Sequence, residues 1–408
     1  MIHQSVTRDA LRLAVIGGGP AGLRAAEVAA AAGAKVTLFD AKPSVGRKFL
    51  IAGKGGLNLT HGEDLARFAS RYSGPGQPDG FWSDMLTDFG PAEMRQWAAG
   101  LGIETFQASS GRVYPTAMKA APLLRRWVLR LRGLGVRFEM NHRWISLTPG
   151  PPYQLGFANR PSVAANAVIL ALGGASWPQT GSDGSWCAIL GTMGIARHPL
   201  VAANCGWECD WPADVLAAVE GHPIKNLHVR AENRLAIGEL LVTRYGLEGG
   251  TIYQLGEVLR TMPRPTIAID FKPAHNHAQL LNKMQSVRQN FLSEAKLRWK
   301  LSAAAHAILA RKPWTDASAL AREVKHCVIE LKGPRPVAEA ISSAGGVCWG
   351  ELDSNLMLKK LPGVFVAGEM IDWEAPTGGY LLQGCFATAT RAARAATGTT
   401  GTVRPGFF

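Results

Sequence analysis

The apolar and polar positions of this chain change period in blocks, and the blocks predict its elements. Leu13, Ala14, Val15 and Ile16 form an unbroken apolar run, the pattern of a strand buried on both faces. A glycine turn follows, and residues 23–32 are Ala-rich without Gly or Pro, which predicts a helix. Residues 35–39 read as a second strand that ends in Asp40. Residues 81–99 look helical with a break at Gly90-Pro91, and 104–106 and 113–114 look like short strands. Residues 117–132 predict an amphipathic helix with Ala121, Leu124, Val128 and Leu131 on one face and Arg125, Arg126, Arg130 and Arg132 on the rest. Residues 136–140, 144–147 and 153–157 read as a small antiparallel meander, and 163–172 as a buried strand ending in Gly173-Gly174.

From Gly194 the pattern changes. Residues 201–208, 227–231, 236–242 and 266–270 suggest strands, and 276–312 a long helical region. An apolar strand at 364–367 then runs into Gly368-Glu369-Met370-Ile371-Asp372, and a second glycine turn at Gly378-Gly379 opens a helix of small residues. The expected fold is α/β: a Rossmann-like domain built from 1–193 and 337–408, with an inserted β-strand plus helical domain at 194–336. Residues 397–408 read as a loose tail.

The first turn carries the chemistry. Gly17, Gly19 and Gly22 fit G-x-G-x-x-G between a strand and a helix, the context that makes this pattern a dinucleotide site. Gly17 permits the tight turn, Gly19 lets a pyrophosphate approach the backbone, and Gly22 lets helix pack on strand. Pro20 and Ala21 complete the turn, and the phosphates meet the positive end of the helix. Asp40 can accept hydrogen bonds from both hydroxyls of an adenosine ribose, and its charge disfavours a 2′-phosphate there. No later glycine pair has the strand–turn–helix context, so a permanently bound second nucleotide is not expected. In the loop that follows, Lys42, Arg47 and Lys48 precede Gly53, Lys54, Gly55 and Gly56, supplying cations and free backbone amides near phosphate.

Composition narrows the class. Apolar residues make up 47% and charged ones 18%, which is globular and excludes a disordered chain. No apolar run approaches the ~20 residues that span a bilayer, and no secretory signal is read. The six cysteines include no C-x-x-C, and Cys205 and Cys209 find no matching pair for zinc, so free thiols in a cytoplasmic protein are expected and no metal. The net charge of +13 favours anionic partners unless it reflects a basic proteome. It is concentrated: residues 276–312 carry seven cations against Glu294 alone, a net of +6. If that face meets nucleic acid, Lys296, Arg298 and Lys300 are the expected phosphate contacts; solubility of an exposed helix is the alternative.

Together the motifs resemble one family of FAD-binding oxidoreductases, the group of the bile-acid reductase BaiN, the aminoacetone oxidases and the ribosomal dihydrouridine synthase RdsA. The matches are I-G-G-G-P-A-G at 16–22, G-R-K-F-L-I-A-G at 46–53, L-N-L-T at 57–60, G-R-V-Y-P at 111–115, L-A-L-G-G at 170–174, S-A-G-G-V at 343–347, A-G-E-M-I-D at 367–372 and P-T-G-G-Y at 376–380. The resemblance implies FAD bound by Gly17, Gly19 and Gly22 at the pyrophosphate, Asp40 at the adenosine ribose, and Arg47, Lys48, Gly53 and Asn58 on the flavin loop. Gly173 and Gly368 are further cofactor-side positions. Glu369 or Asp372 would bind the ribityl hydroxyls, and Gly378, Gly379 and Tyr380 would lie by the flavin ring. His61 and Tyr380 abut these motifs and are the candidates for proton transfer; a packed side chain is the alternative for each.

Two departures mark a divergent branch. The family's S-G-G-G-R-C-N reads A-G-K-G-G-L-N here, so Gly56 and Leu57 replace an Arg-Cys pair. T-R-Y-G-L-E-G-G at 243–250 replaces T-H-x-G-x-S-G-P. The first reading is an oxidoreductase of a small molecule, with NAD(P)H as a transient reductant. The second is a flavin-dependent RNA uridine reductase or RNA-binding flavoprotein, and the third a flavin-binding protein without dedicated turnover. Substrate, reaction direction and oligomeric state stay open.

Overall fold

The computed structural model describes residues 10–399. The expectations for the extreme N-terminus and for the tail from residue 400 on lie outside these residues. The chain forms two compact units, one from the residues through Val201 and those from Ser342 on, the other from Ala202–Ile341.

The first unit is built on a five-stranded parallel sheet in the order Val364–Val366, Ala167–Leu170, Arg12–Ile16 (β1), Lys35–Asp40 (β2), Arg137–Met140. β1 pairs Ile16 with Phe39 on one side and with Leu170 on the other. The chain leaves β1 toward β2 and later returns on the opposite flank, so a crevice opens beyond the carboxyl end of β1 where open α/β sheets bind ligands. Pro20–Ala31 (α1) follows the glycine turn, with Pro20 at its first position, where the missing N–H costs nothing.

Some elements differ from the sequence reading. Arg137–Met140 is not part of the meander: the helix Ala120–Gly133 precedes it as a crossover and returns it parallel beside β2. The meander is instead Trp144–Thr148, Tyr153–Phe157 and Arg160–Ala165, and the run read as one strand at 163–172 is split between Arg160–Ala165 and Ala167–Leu170. The buried face of Ala120–Gly133 is Ala120, Leu123, Leu124, Trp127 and Leu131, with Ala121 exposed. Burying the large indole of Trp127 outweighs burying one alanine methyl. That indole donates to Glu27 Oε2 at 3.0 Å. Glu27 is a buried acid on α1 that also receives Trp97 at 2.9 Å and Arg130 at 3.0 Å.

The second unit holds an antiparallel seven-stranded sheet whose centre is the hairpin Pro223–Ala231 and Arg234–Thr243. Its helical region is not one long helix. His277–Asn282, Phe291–Arg298 and Ala303–Leu309 are separate. Asn290 and Lys300 have left-handed backbones at φ 54° and 51°, and Asn276 and Ser302 cap new helices with their side chains. No helix among the described residues is long and apolar enough to cross a membrane.

Candidate functional site

The crevice beyond β1 is lined by the ends of four parallel strands. Its walls are Gly17–Ala21 after β1, Asp40 and Ala41 after β2, Ala171–Gly173, and Ala367 with Glu369. Ser44, Gly46, Arg47, Lys48, Thr180–Ser182 and Cys385 complete it. Of the residues singled out in the sequence, it brings together Gly17, Gly19, Pro20, Ala21, Asp40, Arg47, Lys48, Gly173 and Glu369.

The glycines at the turn differ in cause. Gly17 has φ +107°, and a Cβ there would meet Ala171 O at 2.2 Å. A Cβ on Gly22 would meet Gly17 O at 1.8 Å, so this glycine seats helix on turn. Gly19 has φ −77°, open to any residue, and a Cβ there would touch nothing within 4 Å. Its backbone faces open space in the crevice. Asp40 fixes the turn: Oδ2 accepts from Gly18 N at 2.7 Å and Oδ1 from Lys42 N at 2.7 Å. Burial raises its carboxyl above the ordinary value, against the pull of those two hydrogen bonds.

Deeper in, Lys48 Nζ pairs with Glu369 Oε2 at 3.1 Å and donates to Ser176 Oγ at 2.5 Å. Ser343 N donates to Glu369 Oε1 at 2.9 Å. The whole crevice has about 110 Å3 free, and this pair stands in its wall, so a cofactor chain would part the pair or take over its hydrogen bonds. Burial pushes the Cys385 thiol up to about 12, so the wall there is neutral.

The remaining candidates sit outside these walls. Gly53 is buried, and its Cβ would strike Ala120 Cβ at 2.5 Å. Gly368 lies against Ala21, with 2.7 Å between a built Cβ and the Ala21 methyl. A Cβ on Gly378 would meet the Tyr380 ring at 3.0 Å, and one on Gly379 the Thr60 backbone at 2.6 Å. Leu57 is buried in the core. Asp372 is engaged elsewhere: its Oδ2 lies 2.5 Å from Nδ1 of His198.

His61 and Tyr380 stack at 5.4 Å. Nδ1 of His61 accepts from Glu63 N at 3.2 Å, so Nε2 carries the proton and donates to Ser110 O at 3.0 Å. Both nitrogens are thereby occupied. Tyr380 donates to Glu63 Oε1 at 2.6 Å, and Arg71 holds the same carboxylate with bonds of 3.0 and 2.8 Å. This arrangement is that of a packed cluster. Glu63, Arg71, Ser182 and His198 carried no sequence signal, since none belongs to a glycine motif.

The family profile "HI0933-like protein Rossmann domain" matches residues 11–395. The chain belongs to this family. It is, with the family, an enzyme of the FAD-dependent oxidoreductase class. It is 29% identical to the 3-dehydro-bile acid delta(4,6)-reductase of Clostridium scindens, over 94% of this chain and 98% of that one. It is 24% identical to the ribosomal RNA dihydrouridine synthase of Escherichia coli, over 92% and 95%. A 3-ketosteroid-delta4-(5alpha)-dehydrogenase from Rhodococcus jostii shares the fold, with TM-score 0.52, 17% identity, and 97% and 99% of the two chains covered.

The residues present fit FAD. The open face at Gly19 leaves room for phosphate against the backbone. Two buried side-chain oxygens, Ser182 Oγ in the cleft wall and Asn58 Oδ1, have no hydrogen-bond partner among the described residues, which is costly unless a ligand supplies one.

Proposed function

We propose that this enzyme reduces a small molecule with electrons from NAD(P)H, and that the crevice beyond β1 holds its FAD. The observation that carries the cofactor placement is Gly19, a helix N-cap whose backbone meets empty space at the switch point of the sheet. In this reading Gly17, Gly19, Pro20, Ala21 and Gly22 form the pyrophosphate turn, and Asp40 accepts from the adenosine ribose through its remaining lone pairs. Arg47 supplies positive charge beside the phosphates. Glu369 and Lys48 exchange their mutual bond for the ribityl hydroxyls; Asp372, committed to His198, does not share that role. Gly173 and Gly368 bring backbone close to the cofactor, and Asn58, Gly53, Gly378, Gly379 and Tyr380 shape the side where the ring would lie. The flavin supplies the electron transfer, and the protein binds, orients and tunes it.

The nicotinamide donor binds transiently, since only one turn has the context of a resident nucleotide. The relative named for reduction of a 3-dehydro-bile acid supports a small-molecule substrate. The test is direct: purified protein should be yellow, release FAD and not FMN on denaturation, and be bleached by NADH or NADPH without oxygen. Colourless protein that cannot be reconstituted with FAD sinks this reading.

A second reading is reduction of RNA, favoured by the relative named for ribosomal RNA and by one surface cluster. Lys272, Lys283 and Lys325 gather around His275, with Lys283 Nζ 2.8 Å from His275 Nε2, though Lys325 is itself paired with Asp270 at 2.5 Å. Lys300 adds its charge to Lys272, whose ammonium is shifted down, by burial first and then by Lys283 and Lys300. Of the three residues expected to face phosphate, Arg298 already pairs with Glu294 at 2.8 Å. Lys296→Glu and Lys300→Glu should each lower the slope of log K against log salt by about 0.7–0.9 if RNA binds here. Wild-type protein that binds no RNA at moderate salt ends this reading.

A further inference from the structure

His198 and Asp372 form a pair that the cofactor reading leaves unused. The Asp372 side chain is 3% exposed and that of His198 51%. A buried carboxylate can only accept, so the 2.5 Å contact places the ring proton on Nδ1. Cys348 Sγ lies 3.7 Å from the same nitrogen, and burial, with Asp372 next, raises its thiol, so it is not a competing anion. Nε2, across the ring, has no hydrogen-bond partner among the described residues.

The ring lines a second cleft within the first unit, about 480 Å3 in volume, with Arg197, Cys187, Asp183, Pro199 and Leu200. Asp183 is neutralised by Arg143 at 2.8 Å. The Cys187 thiol is raised by burial in spite of Arg197. Arg197 pairs with no carboxylate among the described residues. The cleft therefore offers one uncompensated guanidinium, one imidazole nitrogen held in a fixed direction, and apolar wall from Ala175, Pro199 and Leu200. Ser343 links its wall to that of the crevice beyond β1. Ala175 N donates to Ser343 Oγ at 3.0 Å, and Ser343 N donates to Glu369.

We propose that this cleft binds a small molecule carrying an oxyanion on an apolar body. Arg197 is its counter-charge. Nε2 of His198, left as an acceptor by the Nδ1–H tautomer, donates to the oxyanion once it takes up a proton, and Asp372 is the positioning residue that fixes the imidazole. The site itself rests on this geometry; its use in turnover rests on the flavin reading above.

Benzoate is the probe, with benzyl alcohol as the same body without the charge. In full-length protein labelled with 15N-histidine, the neutral His198 ring should show its proton on Nδ1. Benzoate should move the His198 signals saturably, and benzyl alcohol should not. Arg197→Ala should weaken benzoate at least about tenfold, as loss of a charge-assisted bond does. Asp372→Asn should change which nitrogen holds the proton, a change that a merely structural role would not produce. His198→Gln, an exposed position, serves as the binding variant if Asp372→Asn fails to fold, and should also weaken benzoate. No movement of His198 with benzoate, or equal affinity in Arg197→Ala, overturns the proposal. Flavin content is measured on each sample. Retained FAD with no benzoate response sinks the cleft alone, whereas a benzoate response in protein that cannot take up FAD sinks the cofactor reading alone.

Discussion

Two glycine turns open helices in the first unit, and they are glycine for opposite reasons. At the turn after β1, Gly19 has an extended backbone and nothing within 4 Å of where a side chain would begin. At the turn before Tyr380–Thr397, Gly379 sits at φ +99° with the Thr60 backbone 2.6 Å from a built Cβ, and Gly378 lies under the Tyr380 ring. The first turn leaves that space open. The second is filled by the chain itself. A glycine pair before a helix thus signals close approach without saying whether ligand or protein approaches.

The largest expected effect breaks or confirms that contrast. Gly379→Val combines a positive φ with a clash against backbone that cannot move aside, and should cost about 3 kcal/mol or more. Thermal melting and circular dichroism measure it. Gly19→Val should leave the melting temperature of the flavin-free protein within about 1 kcal/mol of wild type and abolish FAD retention, because only the ligand would meet the side chain. If the two variants exchange phenotypes, the assignment of the turns is reversed.

How much of this was legible in the sequence follows from the same physics. The turn at Gly17–Gly22 and Asp40 is local, so strand, turn, helix and acid could be read in order, and so could the parallel sheet they imply. The role of Asp372 could not, because its partner His198 is 174 residues away and belongs to no motif. The burial of Glu27 was equally hidden: its indole donors, Trp97 and Trp127, come from two later helices. The direction of Arg137–Met140 depended on its crossover helix and not on its own alternation. The break of the basic region depended on Asn290 and Lys300 taking left-handed backbones, which its helical spacing concealed.

The acids at the two turns should respond to pH with opposite sign. Asp40 is raised above its ordinary value near 3.8, chiefly by burial. The folded chain without cofactor therefore binds that proton more tightly than the unfolded chain. Its contribution to stability falls as pH rises through the window between the ordinary and the raised value. Ribose hydroxyls donate more strongly to the ionised carboxylate than to the protonated acid, so FAD affinity should rise across the same window. Melting curves of the flavin-free protein and FAD titrations should show these opposing slopes, and Asp40→Asn should flatten both. Parallel slopes would mean that Asp40 does not meet the ribose.

The smallest expected effect is at Tyr380. Burial works to raise the Glu63 carboxyl, but the hydrogen bonds from Arg71 and Tyr380, with the charge of Arg71, outweigh it and hold the group below its ordinary value near 4.5. Such a group contributes stability that is present above the ordinary value and is lost as pH falls through the depressed one. Tyr380→Phe removes one hydrogen bond and leaves the two from Arg71, so the loss at neutral pH should be about 1 kcal/mol. The acid-side loss of stability should still begin near the ordinary value but be smaller and end at higher pH, because Glu63 is then less strongly depressed. The phenol itself is raised by burial and by Glu63, so it stays protonated through this range and adds no titration of its own. FAD content should not change, and flavin reduction by NAD(P)H should proceed at the wild-type rate if Tyr380 is a packing residue. Chemical denaturation as a function of pH reads the first effect and stopped-flow bleaching the second. A fall in the bleaching rate far beyond the small loss of stability would make Tyr380 a proton-transfer group after all, and the second turn would then serve chemistry as well as packing.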